Sequence, residues 1–325
     1  MLIIRHIQPK TDAEYQALVD VNNAASPDEP TSVINRRFND ERWQKDKLFQ
    51  RFVVDSGDRL VVEGVYFEPF WANAPGKYNY GYSVLPEFEE MPEVHTLVYA
   101  YVRGKLAERQ PTRLSTGTRE DRSHRVAWLK TNGFVVKMRM AESELDITNF
   151  DFSRFNGAQE RVAAAGVEIL TLAELRERDP RWMEKLYEML WEIEQDVPHT
   201  DPPQKEPFDE FVKGFEHPDF WPEGWQMALE PAVGDDGIGE YVGVSMLGKN
   251  QAMPQRINTW LTGVVRSHRR KGIALAMKLR AIEFAIQNGG TAIRTDNEEN
   301  NPMLDINKAL GFVEIPAGVN YEKAL

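Results

Sequence analysis

Residues 264–285, VVRSHRRKGIALAMKLRAIEFA, place Arg269, Arg270 and Lys271 directly before Gly272 and an amphipathic segment. This order of residue types suits the binding of a diphosphate. A helix start presents unpaired N–H groups and a partial positive charge, so an anion there is held by backbone and dipole together. A glycine lets anion oxygens come close to the amides, and the basic run adds charge and hydrogen-bond donors. The helix opens at Ile273 and Ala274; Leu275, Leu279, Ile282 and Ile286 form one apolar stripe, and Asn288-Gly289-Gly290 is a stop. The join matches neither G-x-x-x-x-G-K-[ST] nor G-x-G-x-x-G, which argues against mononucleotide transfer. A basic run of three is by itself as well explained by a solvated turn; its place between an apolar strand and an amphipathic helix favours an anion cradle.

The elements around the join occur twice. In the first half, LIIRHIQP reads as a strand, DAEYQALVDVNNAA and NRRFNDERWQKDKLFQRF as helices, and RFVVDSG and RLVVEGVYFEPFW as strands around the turn SGD. YNYGYSVL, a helix near Glu93 to Glu108, the strand TRLSTG, a helix over Ser123 to Thr131 and GFVVKMRMAESEL follow. The second half runs GVEILTL, RWMEKLYEMLWEIEQ, PFDEFVKGF, WQMALEP, the turn GDDG, EYVGVSMLG, INTWLTGVV, the basic join with its helix, TAIRT, a helix over Pro302 to Leu310, and GFVEIP. Both halves pass from a threonine at a strand end, through a polar loop and a short helix, to Gly133-Phe134 and Gly311-Phe312, as copies of one supersecondary plan would. The spacing predicts domains over residues 1–147 and 167–325, with a helical linker over 148–166.

With 325 residues, 42% of them hydrophobic, the chain is long enough for two cores. It has no cysteine, which excludes disulfides and thiolate nucleophiles. Its net charge of −12 argues against a nucleic-acid partner and mildly favours cationic ligands. No apolar run approaches the ~20 residues that cross a bilayer, and residues 1–10 lack the features of a signal peptide. A cytoplasmic protein with no membrane partner is expected.

With Arg269, Gly272 and Ala274 in the register Arg/Gln-x-x-Gly-x-Gly/Ala, the chain resembles the GCN5-related N-acetyltransferase (GNAT) family. The resemblance extends through TDNEENNPMLDINKALGF, covers most of 167–325 and is weaker over 1–145. It implies a mixed α/β (α+β) fold of two tandem domains, each a mostly antiparallel sheet flanked by helices. It also implies acetyl-CoA as co-substrate, a small-molecule primary amine as acceptor, no metal, and a monomer or homodimer. The alternative is a non-catalytic acyl-CoA-binding or sensing protein.

By similarity, Val264, Val265 and Arg266 offer main-chain groups to the pantetheine arm, the Arg269–Ala274 join, Ile273 included, holds the pyrophosphate, and Asn300 or Asn301 faces the cofactor. Asn301 before Pro302 is also an ordinary helix cap. Asp296 and Asn297, at a strand end, are expected to contact the pantetheine or the acceptor. Where family members often carry an acidic tyrosine, this chain has Asn307, whose amide can hydrogen-bond but not serve as a general acid; Tyr321 is a substitute.

Transfer needs an unprotonated amine, and an alkylamine pKa is about 10.4, so a base is required. Candidates lie in WEIEQDVPHTDP: Glu194, Asp196, His199 and Asp201, with His199 also a substrate-binding candidate. A solvated acidic turn is the alternative for this segment. In the first half the positions in register with Arg269–Ala274 are Glu89, Glu90, Met91, Pro92, Glu93 and Val94. Their charge is reversed and the glycine is gone, so this half is expected not to bind CoA.

Overall fold

The computed structural model describes residues 1–44, 46–231 and 238–325; the GDDG turn lies outside them. The chain forms β1(Leu2–Ile7), α1(Asp12–Ala25), α2(Val33–Glu41), β2(Phe49–Ser56), β3(Arg59–Phe67), β4(Lys77–Val84), α3(Pro86–Glu89), α4(Pro92–Leu106), β5(Arg113–Arg119), α5(Ser123–Thr131) and β6(Val135–Asp146). There follow α6(Ala158–Ala164), β7(Glu168–Thr171), α7(Leu172–Arg178), α8(Trp182–Glu194), α9(Phe208–Lys213), β8(Trp225–Leu229), β9(Tyr241–Gly248), β10(Arg256–Val264), α10(Ile273–Gln287), β11(Ala292–Glu298), α11(Met303–Leu310) and β12(Val313–Ala324). The order of types in the second half repeats that of the first.

Two compact units result. Unit 1 comprises Met1–Ala141, His199–Gln204 and Pro316–Leu325; unit 2 comprises Glu142–Pro198 and Lys205–Ile315. In unit 1 the strand order is β1-β2-β3-β4-β5-β12. All neighbours are antiparallel except β4 and β5, which pair in parallel over Lys77↔Arg113 to Tyr80↔Thr116. In unit 2 the order β11-β10-β9-β8-β7 has the same plan, with β10 and β11 the parallel pair. Each unit has its own core, built in unit 1 on Phe52, Val98, Leu106 and Leu114 and in unit 2 on Leu186, Met227, Leu247 and Ile282. Capping boxes Thr11/Glu14 and Thr171/Glu174 start α1 and α7 at corresponding places, each satisfying two otherwise unpaired donors.

One expected element is shorter. The sequence predicts a helix running to Phe52, but α2 ends at Glu41 and Phe49 opens β2. Between them Trp43 packs its ring against Phe49, Phe67, Phe70 and Trp71, with centroids 4.7–6.0 Å away. Burying that aromatic cluster and pairing β2 with β3 outweigh the local helical preference of the charged segment. No helix among the described residues is long and apolar enough to cross a membrane.

Candidate functional site in unit 2

The site begins where β10 and β11 part. They pair only over Arg256↔Ala292, Ile257↔Ile293 and Asn258↔Arg294. β10 then runs on to Val264 and β11 to Glu298, leaving a fork. Against β9, the register of β10 shifts between Thr259 and Leu261, the mark of a bulge at Trp260.

At the open end, Gly272 is the N-cap of α10 with φ 81°, and Arg270 also has positive φ, 65°. No side chain caps the helix. The left-handed turns expose the first amides of α10, and a Cβ placed on Gly272 meets nothing within 4 Å, so the space before the helix is open. Arg270, Lys271 and Gly272 are exposed, Ile273 is buried and Ala274 half-buried. These residues fit a pyrophosphate: unpaired N–H groups, a permissive backbone and two exposed cations.

The main chain before the join is more committed. The Val265 N–H donates to the Val242 carbonyl at 2.9 Å, and the Val265 carbonyl accepts from His268 N–H at 3.0 Å. The Val264 carbonyl accepts from Arg269 Nε at 2.9 Å. Those groups, expected to receive the pantetheine, are already used inside the protein. Arg266 and Arg269 both donate to Asp196, Arg266 through Nε at 2.7 Å and Arg269 through Nη2 at 2.5 Å. The Arg266 guanidinium, with Arg269, holds the Asp196 carboxyl down at about 2, so this group is a poor proton acceptor. Gly263 makes the approach possible: a Cβ there would lie 2.4 Å from Ile193 near the end of α8, three residues before Asp196.

Inside the fork, Asn307 of α11 is fully buried and its Nδ2 donates to Asn297 Oδ1 on β11 at 2.6 Å, while its Oδ1 has no partner. A buried acceptor without a donor is a costly arrangement that an arriving N–H group would relieve. Alternation along β11 puts Asp296 on the opposite face from Asn297. Asp296 is an exposed residue; partial loss of solvation, followed by the charge of Glu142, pushes its carboxyl above the ordinary carboxylate value. Glu142 is itself paired with Arg294 at 2.5 Å. Asn301 Oδ1 accepts from the N–H of Met303, the first residue of α11, at 2.9 Å, and Asn300 bonds to Glu298 through its backbone and its side chain.

No protein-family model and no curated relative matches the sequence. Solved structures do match. A tandem GNAT protein from the clavulanic acid biosynthesis pathway, solved without acetyl-CoA, is similar over 100% of this chain and 98% of its own, at TM-score 0.75 and 17% identity. The chain has the tandem GNAT fold. A GCN5-related N-acetyltransferase from Sphaerobacter thermophilus is similar over 99% of this chain and 95% of its own, at TM-score 0.69 and 13% identity. A fungal GCN5-related glucosamine N-acetyltransferase region has TM-score 0.68 at 13% identity over 99% of this chain, which spans 38% of that multi-domain enzyme.

In this chain the remaining candidates are spread over both units. Glu194 ends α8 in unit 2, half-buried. His199 and Asp201 belong to unit 1. Asp201 is buried, ion-paired to Lys77 and, at 2.8 Å, to Arg113, and these partners hold its carboxyl below its usual range against the opposing effect of burial. The segment is tied down further by the bridge Ala72↔Pro203 and by hydrogen bonds Asn73 N–H to Pro202 and Gln204 N–H to Trp71. Tyr321 also belongs to unit 1, paired with Thr116 on β5 and 3% exposed; burial, then Glu120, raises its phenol.

Unit 1 has a fork of its own, because β4 and β5 also stop pairing after Tyr80↔Thr116. Its own side chains occupy the join. Glu89 is buried and accepts from Arg125 Nη2 at 2.6 Å. Arg125 also donates to the Tyr82 carbonyl at 2.9 Å and lies 4.2 Å from the Tyr82 ring centroid. His95 is held between the Tyr82 hydroxyl and the Glu89 carbonyl, both at 2.9 Å. Burial, then the Arg125 charge, lowers the His95 pKa.

Sequence reasoning missed three features of the site: the bulge at Trp260, Glu142 beside Asp296, and Lys278. The bulge has no composition signal, since Trp260 sits in an uninterrupted β-type run. Glu142 and Asp296 are 154 positions apart (296 − 142) and meet only through strand pairing. Lys278 was readable as a charge on the sheet-facing side of α10, between Leu275 and Ile282.

Proposed function

We propose that the protein is an acyltransferase, an acetyl-CoA-dependent N-acetyltransferase acting on the primary amine of a small molecule, with its active site in unit 2. The observation that carries this is the fork between β10 and β11 opening onto an uncapped helix start at left-handed Gly272. The fold of the similar solved structures supports the same reading.

In this reading the first amides of α10, with Arg270 and Lys271, bind the pyrophosphate. The unpartnered Oδ1 of Asn307 accepts an amide N–H of the pantetheine arm, and the Trp260 bulge turns a backbone amide toward the reacting carbonyl. Acetyl-CoA, when bound, supplies the thioester that the amine attacks. Asp296 takes the amine's proton, since its raised carboxyl is a better acceptor than an ordinary aspartate and far better than Asp196. Asp196 is a positioning residue that holds Arg266 and Arg269. Unit 1 does not bind CoA.

A CoA-release assay over polyamines, aminoglycosides, amino acids and amino sugars tests the reading. Turnover is expected on at least one amine class, and Asp296→Asn should lower kcat by about a hundredfold or more while leaving the Kd for CoA unchanged. Turnover unaffected by Asp296→Asn removes the base assignment. A second reading, a non-catalytic acyl-CoA sensor, is favoured by Asn307 standing where the family often has a tyrosine; binding without turnover on any amine would establish it.

A further inference from the structure

Lys278 lies five residues beyond the first residue of α10, on its buried side, and is 4% exposed. Its ammonium faces the Phe312 ring, with Nζ 5.6 Å from the centroid. Among the described residues no carboxylate and no hydrogen-bond acceptor pairs with it. The other lysine buried to this degree, Lys77, pairs with Asp201 and Glu322. An ammonium taken out of water without a counter-ion is expensive, and a ring face offsets little of that cost.

Beside Lys278 is a small hollow of about 10 Å³, lined also by Ser245, Leu247, Thr259, Ile293 and Phe312. Thr259 is the residue after Asn258, the last on β10 to pair with β11, and Ile293 lies on β11 opposite Ile257. The hollow is therefore at the vertex of the fork, at the level of the bulge. As it stands it holds about one water-sized group, the size of a carboxylate oxygen.

We infer that this hollow receives the far end of the donor's acyl group and that the donor is a short acyl-CoA ending in a carboxylate, which pairs with Lys278. The inference rests on the CoA reading of the fork and replaces the acetyl donor of that reading with a carboxylated one. The carboxylate supplies the counter-ion that the chain does not, and the pair is shielded from solvent, where charge-assisted hydrogen bonds are strongest. Desolvation brings the Lys278 amine down only to about 8, so it is still mainly cationic at neutral pH. The apolar wall of Leu247, Ile293 and Phe312 suits the methylene spacer.

Calorimetric titration of the full chain with CoA, acetyl-CoA, malonyl-CoA and succinyl-CoA, on wild type and Lys278→Met, is the test. Wild type is expected to bind a carboxylated donor about tenfold or more tighter than acetyl-CoA. Lys278→Met should erase or reverse that preference while leaving CoA and acetyl-CoA within about threefold. Equal affinity of wild type for acetyl and carboxylated donors overturns the inference, as does equal weakening of all four by Lys278→Met. If CoA itself does not bind wild type, the cradle reading fails and this one with it. If CoA binds without discrimination among donors, only this one fails. Should Lys278→Met not fold, the wild-type ranking of the four donors decides.

Discussion

The two strand-to-helix joins show one backbone slot used in opposite ways. In unit 2 the residue that opens the signature, Arg269, is exposed, and the helix starts uncapped behind left-handed Gly272. In unit 1 the residue in register with Arg269 is Glu89, which turns inward to Arg125, and Pro92 stands where Gly272 would. Pro92 opens α4 and has no N–H to offer an anion. A fork between parallel strands must be filled by something. Unit 1 fills it with Arg125, Tyr82, His95 and Glu89, paired with one another although Glu89 Oε1 and Arg125 Nε have no hydrogen-bond partner; unit 2 leaves an orphan acceptor on Asn307 and, among the described residues, an unpaired cation on Lys278.

The sharpest way to break this contrast is to remove one charge from each slot. Arg125→Ala should cost about 3–5 kcal/mol by denaturant unfolding, because it strands buried Glu89. Arg269→Ala should cost under about 1 kcal/mol, since its pair with Asp196 is largely exposed, and should weaken CoA binding instead. Equal stability losses at the two sites would show that the unit 2 join is also structural.

Next in size, Gly272→Glu should weaken CoA binding about a hundredfold or more by calorimetry, since it combines a strained left-handed residue with charge repulsion at the anion site. Wild type should bind one CoA per chain. A stoichiometry of two would refute the closed state of the unit 1 slot.

A pH titration of stability sharpens the comparison further. The Lys278 amine is lowered from 10.5 to about 8, so between those values the unfolded chain binds more protons than the native one, and stability rises with pH. The stability of wild type relative to Lys278→Met should therefore increase from about pH 8 toward pH 10.5 and be level outside that window. A flat difference across it would mean that Lys278 is solvated after all. The smallest effect is expected for Asp196→Asn, which frees Arg266 and Arg269 from the place in which it holds them and should weaken CoA binding by about threefold; tighter binding would show that Asp196 competes with the diphosphate for these guanidiniums and does not position them.

Much of the site was legible because its signals are local. A basic run, a glycine and an i, i+3, i+4 apolar stripe locate a helix start and its buried face without knowledge of any distant residue, and α10 begins at Ile273 as that pattern requires. The helix over Ser123–Thr131 was legible in the same way. The helix expected to run to Phe52 was not, because the cluster around Trp43 draws on Phe67, Phe70 and Trp71 from further along the chain.

By itself, then, the sequence determined the duplicated order of elements, the place of the basic, glycine-led helix start and the reversed charge of its counterpart, all of which depend on neighbours within a few residues. Tertiary structure alone decided which charges are spent. Asp196 became a clamp rather than a base through Arg266 and Arg269, some 70 residues away, and Asp201 was claimed by Lys77 and Arg113 in unit 1. Lys278 is lone, and Lys77 paired, for the same reason: the energy of a buried charge is set by what the fold brings within a few ångströms of it, a quantity that no local spacing encodes.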